Sequence, residues 1–188
     1  MTPAALSSSQ YANFAANGLF DPNIQVGGHQ PLGFDQWALY YNHYVVLGSK
    51  ITVRFILNNA VQATNYTPIL CGVKLQDDTA ATWSAGQLFD NLSERGFSYK
   101  VIVPNVNNIY PVKCGAKFSA KKFFNVKDVK DNMLRLGSGV GANPTDLGVY
   151  QLYFGSVNGQ TISDYTMQCL VTIDYIVSWS EPKDIPQS

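Results

Sequence analysis

The sequence predicts an all-β protein, with two antiparallel sheets packed as a Greek-key sandwich or jelly roll, long loops and few short helices. Three observations predict it. Apolar residues recur at every second position through most of the chain, the period of a half-buried strand. Clusters of turn-forming residues separate these runs. Each run has one apolar face, and a second sheet must cover that face.

The elements follow in order. Residues 1–16 read as a loose, Ser-rich start, and a strand is expected around 17–26. Residues 35–41 suit one or two helical turns. Ile51, Val53, Phe55 and Leu57 then alternate with Lys50, Thr52 and Arg54, and Asn58-Asn59 ends the run. Ile69, Cys71, Val73 and Leu75 form the next, ended by Gln76-Asp77-Asp78. A weaker helical pattern covers 85–92. Tyr99, Val101 and Val103 make a shorter strand. Val112, Cys114, Ala116, Phe118 and Ala120 alternate with Lys113, Lys117, Ser119 and Lys121. A second weak helical pattern covers 126–133, and the Gly-rich stretch 137–144 reads as a flexible loop. Tyr150, Leu152 and Phe154 mark another strand, and Asn158-Gly159 is a hairpin signal. The longest run is Met167, Cys169, Val171, Ile173, Tyr175, Val177 and Trp179. Seven or eight strands with long connections argue against a meander and for Greek-key topology. Residues 1–188 read as one domain.

Composition narrows the function classes. Of 188 residues, 46% are hydrophobic and only 14% charged, against roughly 25% charged in ordinary soluble domains. Much of the surface is therefore expected to meet other protein; the alternative is a compact sandwich with many Ser, Thr, Asn and Gln outside. Aromatic residues make up 13%, which suits strands and half-wet interfaces. The formal net charge is zero, so whole-chain charge gives no sign of nucleic-acid binding. The three cysteines all lie on the apolar phase of their strands, which predicts buried, reduced thiols. The first residues carry neither a charged start nor an apolar run, so no signal peptide or membrane span is expected.

Catalytic chemistry is poorly represented, and no catalytic residue, metal site or cofactor is expected. His29 and His43 are the only histidines and form no HxH or HExxH arrangement, which argues against a metal cupin. There is no GxSxG nucleophile elbow. Gly137-Ser138-Gly139-Val140-Gly141 lacks the Lys-Ser/Thr of a phosphate-binding loop.

One charged feature stands out. Between Lys113 and Arg135 lie six lysines and one arginine against two aspartates. Lys113, Lys117 and Lys121 are four apart, which in a strand puts them on one face. Lys122 points the other way. Such a linear array suits a phosphate backbone; the alternative is a solvated face that discourages edge pairing. With Arg54, these four lysines are the candidate nucleic-acid contacts. Residues 1–49 hold no Lys or Arg.

Three segments resemble the capsid proteins of circovirus-like, Rep-encoding single-stranded-DNA (CRESS-DNA) viruses. The first runs from Gly28-His29-Gln30-Pro31-Leu32-Gly33-Phe34-Asp35-Gln36-Trp37 through Tyr40-Tyr41-Asn42-His43-Tyr44 to Gly48-Ser49-Lys50-Ile51-Thr52-Val53-Arg54-Phe55. The second is Phe118-Ser119-Ala120-Lys121-Lys122-Phe123-Phe124-Asn125-Val126-Lys127-Asp128-Val129, and the third Val171-Thr172-Ile173-Asp174-Tyr175. The resemblance implies an eight-stranded viral jelly roll with strands before 26, at 47–57, 67–76, 97–103, 112–124, near 133–136, and at 148–157 and 167–179. It implies a homo-oligomer, an icosahedral T=1 shell of about sixty copies. The shell would enclose single-stranded DNA, located in the virion and assembled in the host nucleus. Loops 27–46, 77–96, 125–132 and 158–166 would crowd the five-fold axis, and 58–66, 104–111 and 137–147 would lie outside. Trp37, Tyr40, Tyr41, Tyr44 and Trp83 fall in the axis loops and are the expected interface aromatics; for each of them alone, packing into the core at the end of the sandwich is an equal alternative. The arginine-rich N-terminal arm usual in that family has no counterpart in residues 1–49.

Two other functions compete with a self-assembling coat. A lectin-like jelly roll would use Trp83 with Asp77 and Asp78 to stack on and hydrogen-bond a sugar. An enzyme on a cupin-like barrel would need a retained metal, against which the histidine count speaks.

Overall fold

A computed structural model describes residues 10–24, 29–59, 68–77, 79, 97–103, 111–130, 133–157 and 165–184. Among these residues eight strands are present: β1 (Gln10–Ala15), β2 (Tyr41–Asn59), β3 (Ile69–Gln76), β4 (Phe97–Ile102), β5 (Val112–Ser119), β6 (Gly137–Gly139), β7 (Val149–Ser156) and β8 (Tyr165–Pro182). Among the described residues three single-turn helices accompany them: α1 (Phe34–Ala38), α2 (Ala120–Phe123) and α3 (Met133–Leu136).

All strand pairs are antiparallel. One sheet runs β1-β7-β3-β4. In the other, β5 and β6 share one side of β2, and β8 pairs along the opposite side. The chain crosses between sheets at β1–β2, β2–β3, β4–β5, β6–β7 and β7–β8. Eight strands in two sheets with repeated crossing make a jelly roll rather than a meander. Along the far side of β8 no strand is paired among the described residues.

The alternation read from sequence closes the sandwich. Ile51, Val53, Phe55 and Leu57 are buried against Ile69, Cys71, Val73 and Leu152 of the other sheet. Two hydroxyls tie the layers together inside this core. Ser49 Oγ donates to the Ala16 carbonyl at 2.5 Å and lies 2.9 Å from Tyr150 Oη. Tyr175 Oη donates to the Ala15 carbonyl at 2.7 Å. Gly72 is required by close approach: a Cβ there would collide with the Ser98 carbonyl oxygen and the Tyr153 hydroxyl.

β2 is far longer than the expected 47–57. A bulge between Val46 and Gly48 breaks its register with β8. Before the bulge both phases are buried: Val45 stays in the main core with Ile51 and Val53, while Tyr44 and Val46 pack on the opposite face. The strand therefore continues to Tyr41 without a period of two in its apolar residues. A second core forms under this extension from Leu19, Phe34, Tyr44 and Val46, packed by Val177 and Trp179.

Other expectations are corrected. The first strand is Gln10–Ala15, inside the segment read as loose, and not 17–26. Its core-facing row is Ala12 and Phe14, and Asn13 on the opposite face is buried too, where Gln151 Nε2 donates to Asn13 Oδ1 at 3.1 Å. A buried polar pair hides the period. The expected strand 112–124 ends at Ser119, because Phe123 and Phe124 fold back onto Phe118 through α2, with ring centroids 5.4 and 5.9 Å away. Residues 133–136 are helical, and the strand follows at Gly137–Gly139 within the stretch read as a loop. Main-chain pairing with His43–Val45 holds it there. Cys71 and Cys114 are buried as expected, but Cys169 is exposed because β8 lies at a sheet edge. The helical pattern at 85–92 and the Asn158-Gly159 hairpin lie outside the described residues.

Candidate functional site

The register of β2 and β5 builds an array that no single strand carries. Lys50 stands directly opposite Lys117, Thr52 opposite Gly115, and Arg54 opposite Lys113. All four cations are exposed on the outward face, while their neighbours Ile51, Val53, Cys114 and Phe118 are buried. Directly opposite residues have Cβ atoms roughly 5 Å apart, and four residues along a strand span about 13 Å. The result is a two-by-two grid of positive charge. An open hollow of about 540 Å³ lies beside it, lined by Lys50, Thr52, Ser98, Lys113, Gly115 and Lys117, with no carboxylate among the described residues that line it. On the β8 side Asp174 faces Lys50, and Leu170 faces Arg54. Like charges directly opposite one another destabilise a sheet, so the grid works against the fold that carries it.

Three of the predicted contacts, Arg54, Lys113 and Lys117, come together here. Lys121 and Lys122 do not. Both are exposed on α2, past the end of β5, so Lys121 does not continue the lysine row along the strand face. Lys50 is the member that sequence reasoning missed. Its alternation with Arg54 was visible, but its position opposite Lys117 depends on pairing between strands some sixty residues apart.

A second surface lies at the far end of β2. The segment leading into β2 is anchored by Phe34, buried against Tyr44 and Trp179 with centroids 5.8 and 5.7 Å away. Trp37 stacks on Trp179 at 6.2 Å with 20° between planes, and Tyr41 touches both. Lys183 fixes the segment from the other side: its Nζ donates to the Ala38 carbonyl at 2.7 Å, and its backbone N–H to the Tyr40 carbonyl at 2.8 Å. What remains outside is apolar. Trp37 is 52% exposed, Tyr40 53%, Leu39 71%, and Leu32 is fully exposed.

Tyr44 corrects the expected interface set. It is fully buried, its hydroxyl donates to the Ala142 carbonyl at 2.8 Å, and it accepts from the Leu19 N–H at 3.2 Å. Burial raises its phenol above the ordinary value. It offers no surface to a neighbour. Trp83 lies outside the described residues, as does Asp78 of the sugar-binding alternative; Asp77 is exposed at the end of β3.

The remaining reactive groups are dispersed. Among the described residues no three His, Cys, Asp or Glu side chains gather as a metal would require, and no helix is long and apolar enough to cross a membrane. His43 Nδ1 lies 2.8 Å from Glu181 Oε2 across the β2–β8 pair. Cys114 Sγ donates to the Cys71 carbonyl at 3.8 Å between the sheets. The thiol–thiol hydrogen bond with Cys114, followed by burial, holds the Cys71 thiol well above its ordinary value. Cys169 stands at the lip of an apolar cleft of about 460 Å³, lined also by Phe14, Leu152, Phe154, Met167 and Val171. Although the residue is exposed overall, the surrounding apolar atoms desolvate its thiol and push it up to about 11.

No protein-family model matches the chain, and no curated protein does. Among solved structures it is similar to that of Desmodium yellow mottle tymovirus, at 16% identity over 100% of this chain and 87% of the other, with a TM-score of 0.42. It is similar to maize chlorotic mottle virus at 14% identity, over 100% and 93% of the two chains, with a TM-score of 0.41. A third is the T=1 subviral particle of a Penaeus vannamei nodavirus capsid-protein deletion mutant, at 14% identity over 93% and 96%, with a TM-score of 0.40.

Proposed function

We propose that this chain is the coat subunit of a small virus, assembling with copies of itself into a closed icosahedral shell around nucleic acid. The observation that carries this reading is the grid of Lys50, Arg54, Lys113 and Lys117. Two pairs of like charges are set face to face on a chain whose formal net charge is zero. A polyanion lying across β2 and β5 turns that repulsion into attraction. Phosphate contacts position a nucleic acid without reading its sequence, which is what a shell around a whole genome needs.

The aromatic shelf supplies the other requirement, a surface for neighbouring copies. Trp37, Leu39 and Tyr40 are exposed on an anchored support, and the chain is poor in charge. Interface cores are depleted in charge and enriched in Trp and Tyr. Many modest contacts closed by symmetry hold a shell. The sequence resemblance supplies the finer proposal: a CRESS-DNA, circovirus-like member, a T=1 particle of about sixty copies, a single-stranded DNA cargo, and assembly in the host nucleus. No catalytic step enters this reading.

The test is the nucleic acid retained by purified protein. After treatment with nuclease and then protein denaturation, the reading expects protected nucleic acid that DNase, and not RNase, degrades. Protected RNA would overturn the DNA cargo; absence of any protected nucleic acid from closed particles would overturn the role of the grid.

A further inference from the structure

Among the described residues, one edge of β8 carries no paired strand. Its 18 residues pair with β2 on one side only among the described residues. Natural sheet edges avoid unwanted pairing by being short, bulged, or studded with Lys and Pro. β8 is long, its bulge belongs to β2, and it contains no Lys or Arg and no Pro before Pro182. Its outward row instead exposes Leu170 at 58% and Ile176 at 67%. The apolar cleft between β1 and β8 opens on this same side.

We propose that β8 is a two-fold contact, its free edge pairing antiparallel with β8 of a second copy to join two sheets into one. The inference rests on the coat reading and names one of its contacts. A second copy is the occupant that charge favours. Within residues 165–180 the sole charge is Asp174. A two-fold axis at Asp174 would set two carboxylates directly opposite, which destabilises the pair. An axis at Val171 sets Asp174 against Gln168 of the partner subunit, Leu170 against Thr172 of the partner subunit, and Cys169 against Ile173 of the partner subunit. Every residue then meets one of the same face, as an isologous contact requires. The joined sheet also covers the mouth of the cleft. Residues 165–177 take part on each side, fewer than the roughly 20–30 of a standard interface, so the contact suits a closed assembly in which others act with it.

Crosslinking with a short bismaleimide tests this on the full chain in a Cys169→Ser background. Thr172 is exposed beside the proposed axis, and Thr172→Cys is expected to give a covalent dimer. Gln168→Cys places its two copies about 20 Å apart and is expected to give none. Adding Leu170→Lys puts a charge on the edge and should abolish most of the Thr172→Cys dimer while the circular dichroism spectrum stays unchanged. Equal yields from positions 168 and 172, a yield unaffected by Leu170→Lys, or a protein that stays monomeric at every concentration would each overturn the contact. Closed particles without the position-172 crosslink would overturn the edge and leave the coat reading standing. Crosslinked dimers that never form particles would support the edge and remove the shell.

Discussion

Lys113→Gln with Lys117→Gln separates what the cation grid does for the fold from what it does for a ligand. The double change removes one member of each face-to-face pair, Lys50–Lys117 and Arg54–Lys113. A directly opposite like-charge pair costs an amount of the order of 0.2–1 kcal/mol. All four side chains are exposed, so solvent and salt keep the value near the lower end. Relief of both pairs is expected to add about 0.5–1 kcal/mol, or a rise of about 1–4 °C in Tm for a domain of this size. The gain should shrink as salt is raised. Binding should move the opposite way. Each lost phosphate contact on a single strand reduces the slope of log K against log salt by about 0.7, so the pair should reduce it by about 1.4. Fluorescence anisotropy with a labelled oligothymidylate at several salt concentrations, beside thermal melts of the same samples, reads both. A variant that melts lower, or that keeps the parent's salt slope, would refute the reasoning.

Trp37→Asp should leave a folded subunit, because the residue is 52% exposed, at a cost of about 0.5–1.5 kcal/mol for the lost ring stacking. It should also block association, which sedimentation velocity measures; normal particles would refute the interface role. Gly72→Ala should destabilise by about 1–3 kcal/mol, read by urea unfolding, since its new Cβ meets the Ser98 carbonyl oxygen and the Tyr153 hydroxyl. Tyr150 is raised to about 12 by burial, so the folded state holds its proton more tightly than the unfolded chain. Its contribution is complete below pH 10 and is lost as pH climbs from about 10 to 12. Tyr150→Phe should therefore flatten the fall of Tm across that window, and an unchanged slope would contradict the assignment.

The fold was legible wherever one strand face is apolar and the other is not. The runs through Ile51–Leu57, Ile69–Leu75 and Met167–Trp179 all appear as strands. Legibility failed where main-chain pairing or buried polar groups replace that signal. β1 is held by alanines and by the Asn13–Gln151 bond, and β6 is three residues of Gly-Ser-Gly paired to β2. The first part of β2 was concealed because Tyr44, Val45 and Val46 beside the bulge are all buried, which leaves no period of two to follow. The three phenylalanines after Cys114 looked like strand residues, yet their mutual packing coils the chain at α2. For the candidate site, the basic strand was visible but its partners were not. Spacing within one strand suggested Lys121, whereas register between two strands selects Lys50. Within the aromatic segment, Tyr44 lies on β2 and is buried in the second core, while Trp37 and Tyr40 precede the strand and are half-exposed.

Negative-stain microscopy of the purified full chain, set beside its sedimentation profile, tests the coat reading most directly. A coat subunit should give uniform closed particles roughly two hundred ångströms across, the scale of about sixty domains of this mass. A single hydrated subunit that sediments as a monomer at every concentration and salt would contradict it.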